Sequence, residues 1–134
     1  MLYVVTGPPC VGKSTWVRER AKPGEIVVDL DRLALAITAE NTPHHSYPGH
    51  VRKTAVTMRK VAIQAALNYC RPQDAYIIHS KPSARARHHY SLRGATFIEL
   101  TAPQDVLLAR AQAERPGHIV ELVRRWAAEP DDDL

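Results

Sequence analysis

The chain has 134 residues, 45% of them hydrophobic, with a formal net charge of +4. That length predicts one domain over residues 1–129 and an acidic, frayed tail over 130–134, with no room for the extra elements of a large motor ATPase. No apolar run approaches the roughly 20 residues of a membrane span. The opening Met1-Leu2-Tyr3-Val4-Val5 has no charged leader, so a membrane or secreted class is not expected. The two cysteines, Cys10 and Cys70, do not make a disulfide framework, and a reducing cytoplasm is the simple reading.

Leu2–Thr6 reads as a short buried strand. Gly7-Pro8-Pro9-Cys10-Val11-Gly12-Lys13-Ser14, followed by Thr15, then fits G-x-x-x-x-G-K-[ST] at every fixed position. From Lys13 on, Trp16, Val17 and Arg20 open a helix, and strand, loop, helix is the setting in which such a loop cradles phosphate. Gly7 and Gly12 lack a Cβ, so the backbone can curl its N–H groups onto phosphate oxygens. Lys13 is placed to reach the β- and γ-phosphates of ATP, and the Ser14 hydroxyl to ligate Mg²⁺.

After a turn at Lys22-Pro23-Gly24-Glu25, Ile26–Val28 is a second strand, ending at Asp29-Leu30-Asp31-Arg32. A helix follows over Leu33–Ile37, and Asn41–Gly49 is a loop rich in His and Pro. The longest helix runs from Val51 to Tyr69, with Val51, Ala55, Met58, Ala62, Ala65 and Tyr69 as its buried stripe. Arg52 with Arg59, and Lys53 with Lys60, then form a basic ridge beside that stripe. Ala75–Ile78 is a third strand ending at His79-Ser80, and Ser80–Arg93 is a basic loop with a short helix. Thr96–Leu100 is a fourth strand. Thr101 and Gln104 have capping-box spacing for a helix running to about Glu114. Arg115-Pro116-Gly117 interrupts it, and a last helix with Ile119, Leu122, Val123 and Trp126 on one face is expected to dock on the sheet.

Alternating strands and helices predict an α/β fold with a parallel sheet and right-handed crossovers. Ligands of such sheets sit at the carboxyl ends of the strands. Here those ends carry the glycine loop, Asp29/Asp31, His79/Ser80 and Thr101. From His44 to Arg93 there are nine Lys and Arg residues against one acid, Asp74, which points to a polyanionic partner such as nucleic acid or a nucleotide. Tyr47 and Tyr90, with His44, His45, His50, His88 and His89, are candidates for lining an acceptor groove, a solvated loop being the competing reading.

This pattern resembles the P-loop kinase superfamily, and within it the polynucleotide-kinase-like group with its small phage-encoded relatives. The resemblance covers nearly the whole chain. It implies a three-layer P-loop NTPase fold with a small parallel sheet of about four strands flanked by helices. It implies that Gly7, Pro8, Pro9, Cys10, Val11, Gly12, Lys13, Ser14 and Thr15 bind the nucleotide. By position, Asp31 becomes the base for the acceptor hydroxyl and Arg32 the grip on an acceptor phosphate, a helix N-cap being the competing reading of Asp31. Asp29 is either an alternative base or, with Ser14, part of the Mg²⁺ site. Where many members end the third strand in a metal-holding Asp this chain has His79, which is either near the substrate or a buried, hydrogen-bonded strand end. Lys81 and Arg85 join it as substrate contacts, and Arg110 and Arg115 fall where lid arginines stabilise the phosphoryl group in flight.

The function expected is ATP-dependent transfer of the γ-phosphate to a hydroxyl of a nucleic acid, at a 5′-hydroxyl end or a hydroxymethylated base, or of a nucleotide. Two alternatives accompany it: a kinase of small acceptors, such as nucleosides or hydroxy acids, and a nucleotide-dependent nucleic-acid-binding ATPase.

Overall fold

The computed structural model describes residues 1–43, 47–114 and 117–133. Its centre is a four-stranded sheet of β1 (Leu2–Thr6), β2 (Ile26–Val28), β3 (Ala75–Ile78) and β4 (Thr96–Glu99). All neighbours are parallel, in the order β2-β3-β1-β4. Around it lie α1 (Lys13–Arg18), α2 (Leu30–Ala36), α3 (Gly49–Asn68), α4 (Ala84–Ser91), α5 (Gln104–Glu114) and α6 (His118–Arg125), followed by a 3₁₀ turn at Trp126–Ala128. None of the described helices is long and apolar enough to cross a membrane.

The strands are rich in apolar residues because both faces of a parallel sheet are covered. On one face Leu2, Val4, Val28, Ala75 and Ile77 pack with Ile63, Ala66 and Leu67 of α3 and with Ala86 and Tyr90 of α4. On the other, Val5 and Tyr76 pack with Val17 of α1. Tyr3 stacks on Tyr76 there with ring centroids 5.2 Å apart. Leu2 and Val4 thus face one way while Tyr3 and Val5 face the other, the period of two expected of a strand.

Three expectations change. The long helix buries Val51, Ala55, Arg59, Ile63, Ala66 and Leu67, so its stripe shifts phase after Ala55, and Tyr69 is exposed. Apolar residues lie on almost every side of this helix, so spacing alone admits two stripes, and the sheet selects the one carrying Ile63 and Leu67. Arg59 therefore leaves the basic ridge; its burial is offset by a 2.6 Å ion pair with Asp132. Second, α6 docks on α5 and on the glycine loop rather than on the sheet: Val120 and Val123 pack with Leu107 and Ala111, against Cys10 and Val11. Without α6, the apolar stripe of α5 would face water. Third, the acidic stretch is not frayed over 131–133, because Asp132 N donates to Lys81 O at 2.7 Å and Ser83 N to Asp132 O at 2.9 Å.

Candidate active site

At the end of β1 the chain enters the left-handed region at Gly7 (φ 142°), Cys10 (φ 66°) and Gly12 (φ 101°). Gly7 N donates to Ser80 O at 2.9 Å, and Leu100 N donates to Thr6 O at 2.9 Å, so the loop begins clamped between the ends of β3 and β4. A Cβ on Gly7 would lie 2.5 Å from Leu100 O, whereas one on Gly12 would meet nothing within 4 Å. Gly7 is thus required for both close approach and conformation, Gly12 for conformation alone. Lys13 Nζ folds back across the loop and donates to Gly7 O at 2.8 Å and Pro8 O at 2.7 Å.

Asp29, buried at the end of β2, joins this loop to the next element. Its Oδ2 accepts from Ser14 Oγ at 3.2 Å. Its Oδ1 accepts from Asp31 N at 3.1 Å, which makes Asp29 the N-cap of α2. The cap reading of Asp31 therefore passes to Asp29, and Asp31 sits in the first turn with its Oδ1 accepting from Tyr47 Oη at 2.6 Å. Burial, then the bond to Asp31, pushes the Tyr47 hydroxyl well above its ordinary pKa, so it stays a donor. From the other side, Arg110 Nη1 of α5 reaches Cys10 O at 3.2 Å.

Lys13, Ser14, Asp29, Asp31 and Arg110 thus come together from three separate segments. Arg32 is exposed on α2. Arg115, like His44 and His45, lies outside the described residues. His79, Lys81 and Arg85 make their hydrogen bonds outside the Lys13, Ser14 and Asp29 cluster. His79 is buried, its Nδ1 2.8 Å from Tyr90 Oη and its Nε2 2.9 Å from Asp132 O. It is thus the hydrogen-bonded strand-end histidine rather than a substrate contact. Lys81 Nζ donates to Trp126 O at 3.1 Å and to Glu129 O. Arg85 pairs with Asp133 at 3.0 Å. Tyr90 is wholly buried, so it lines no groove. Tyr47 is a groove candidate in the sequence, but nothing there signals its bond to Asp31.

No protein-family model matches the chain, and no curated protein matches it. What this rim can do follows from its own residues.

Among the described residues no group of three or more His, Cys, Asp or Glu side chains converges as a metal site. A hydroxyl and a carboxylate at Ser14 and Asp29 are nonetheless hard oxygen donors, and a small hard cation that keeps waters and binds phosphate oxygens needs few protein ligands. The residues present therefore fit Mg²⁺ delivered with a nucleotide. Beside the loop a cleft of about 550 Å³ is lined by Thr6, Gly7, Ser80, Lys81, Glu99 and Trp126, among others. Thr6 Oγ1, buried at its edge, has no hydrogen-bond partner among the described residues.

Proposed function

We propose that the chain is an ATP-dependent phosphotransferase, a kinase of the P-loop type, acting on a hydroxyl of a nucleic acid or nucleotide. The observation that carries this reading is the 3.2 Å contact between Ser14 Oγ and the Asp29 carboxylate, on a loop that Lys13 spans from the other side. The four-stranded parallel sheet, with the loop leaving its central strand β1, is compatible with a P-loop NTPase fold.

When bound, MgATP supplies the transferable phosphoryl group and a cation that neutralises charge on it. Lys13 exchanges the carbonyl oxygens of Gly7 and Pro8 for phosphate oxygens. Ser14 and Asp29 hold the cation, directly or through water. Asp31 orients the acceptor hydroxyl and takes its proton. The acceptor oxygen forms the new bond to phosphorus while the bond to the bridging oxygen breaks, and the electron pair leaves with ADP. Arg110, a side chain's length from the loop at Cys10 O, stabilises charge on the transferring group; Arg115 is proposed for the same role.

The basic middle segment favours a polyanionic acceptor, a 5′-hydroxyl end or a hydroxymethylated base among them. The cleft, whose volume lies within the range of small-molecule sites, favours the second reading, a small-acceptor kinase. The deciding experiment offers γ-labelled ATP and Mg²⁺ with 5′-hydroxyl oligonucleotides, hydroxymethyluracil DNA, nucleosides, nucleotides and hydroxy acids. Label on a nucleic acid or nucleotide, lost in Lys13→Ala and Asp31→Asn, is expected. Label on small hydroxy acids or nucleosides alone would support the second reading. Free phosphate with no labelled acceptor would refute the kinase reading in favour of a nucleic-acid-binding ATPase.

A further inference from the structure

The acidic stretch Asp131-Asp132-Asp133 runs parallel to residues 81–83, with a bridge between Pro82 and Asp132. Asp132 Oδ2 lies 2.6 Å from Arg59 Nη2 and 3.3 Å from His79 Nε2. Asp133 accepts from Ser83 Oγ at 2.7 Å and from Arg85 Nη1 at 3.0 Å. Two successive carboxylates thus each meet an arginine within the most basic part of the chain.

The fit is incomplete. Arg59 is 8% exposed, and its Nε is buried without a partner among the described residues. A guanidinium carries five donors in a planar fork. The two non-bridging oxygens of a phosphodiester can take the place of the carboxylate oxygens on that fork. The track holds a segment paired through Asp132 to residues 81–83. It also leads to the glycine loop, because Ser80 next to it accepts the Gly7 amide.

We propose that the surface formed by Arg59, Lys81, Ser83 and Arg85 binds the phosphodiester backbone of a nucleic-acid strand, and that Asp131–Asp133 covers it until the polyanion displaces them. This rests on the nucleic-acid part of the functional reading and not on phosphoryl transfer, so the test contains no ATP. A labelled 12-mer of single-stranded DNA is titrated by fluorescence anisotropy against the wild type and against a triple variant, Asp131→Asn, Asp132→Asn and Asp133→Asn. The comparison is a charge-matched control carrying Glu40→Gln, Asp105→Asn and Glu114→Gln, all at exposed positions.

Freeing two arginines for phosphate contact steepens the dependence of log K on log salt by about 1.4, at about 0.7 per contact on a single strand. The triple variant is therefore expected to bind more tightly than the control at low salt, with that steeper slope. Adding Arg85→Ala to it removes about half of the change. Equal affinity and slope in the triple variant and the control would overturn the proposal. So would binding of poly-glutamate as tight as that of DNA, which would make the surface one for acidic protein. If the triple variant melts, Asp133→Asn at its exposed pair decides the matter, with an expected steepening of about 0.7.

Discussion

Replacing Gly7 by alanine tests how the loop is built. The added Cβ would stand 2.5 Å from Leu100 O and 3.0 Å from Val11 Cγ1, at a φ of 142°. The backbone oxygen cannot rotate away, and Leu100 is pinned by its own amide bond to Thr6 O. Holding a non-glycine residue in a sparsely populated backbone region costs roughly 1–3 kcal/mol. Forcing a methyl into a packed site adds roughly 1–3 kcal/mol. Gly7→Ala should therefore lose roughly 2–6 kcal/mol, a large share of the roughly 5–15 kcal/mol that holds a domain together. Gly12→Ala provides the comparison: its φ is 101°, but its Cβ meets nothing, so only the conformational part, roughly 1–3 kcal/mol, applies. Urea unfolding of both variants and the wild type gives the two values from their midpoints at a common slope. Equal destabilisation of the two would refute the claim that the Leu100 carbonyl, just past β4, closes on the loop.

Under the kinase reading, Tyr47→Phe removes the 2.6 Å bond that holds Asp31. It should lower kcat about tenfold, roughly 1.4 kcal/mol of barrier, with the KM for ATP unchanged; a change confined to that KM would contradict the assignment. The Asp132 carboxyl is held well below its ordinary range, first by the bond from His79 and then by Arg59, against the opposing effect of burial. A depressed folded pKa gives stability that is present above the unfolded value of about 4 and lost as pH falls below it. Thermal melts should therefore show the wild type's advantage over Asp132→Asn shrinking from about pH 4 downward, and a constant advantage would argue against the pairing. Leu107→Ala removes the centre of the α5–α6 cluster at a cost of roughly 2–5 kcal/mol. In hydrogen exchange, α5 and α6 should lose protection while β1 and β3 keep theirs; equal losses would mean the cluster is continuous with the main core.

The strands were legible in the sequence as short apolar runs, β4 through Phe97 and Ile98 alone, and the loop because its glycines, lysine and serine fit one spacing at every fixed position. The convergence of Ser14, Asp29 and Asp31 was legible too, since parallel topology brings those strand ends to one rim. The choice between Asp29 and Asp31 as cap was not, because the two are two residues apart and either can start a helix. The phase of α3 was hidden by apolar residues on several of its sides, and by an arginine whose buried position depends on Asp132, far away in sequence. The docking of α6 was misread because an amphipathic face specifies that something covers it, not what does.

The position of β1 in the sheet has a kinetic consequence. Both of its neighbours come from distant parts of the chain: Leu2 registers with Ala75 on β3, and Tyr3 with Thr96 on β4. Local helices can form early, but the central strand has no partner until those two loops in the chain have closed, and such long closures slow folding. The glycine loop takes its shape from Ser80 and Leu100, which arrive with the same two strands. Under the kinase reading, nucleotide-binding competence should therefore return in a refolding experiment together with the sheet and after the helical signal.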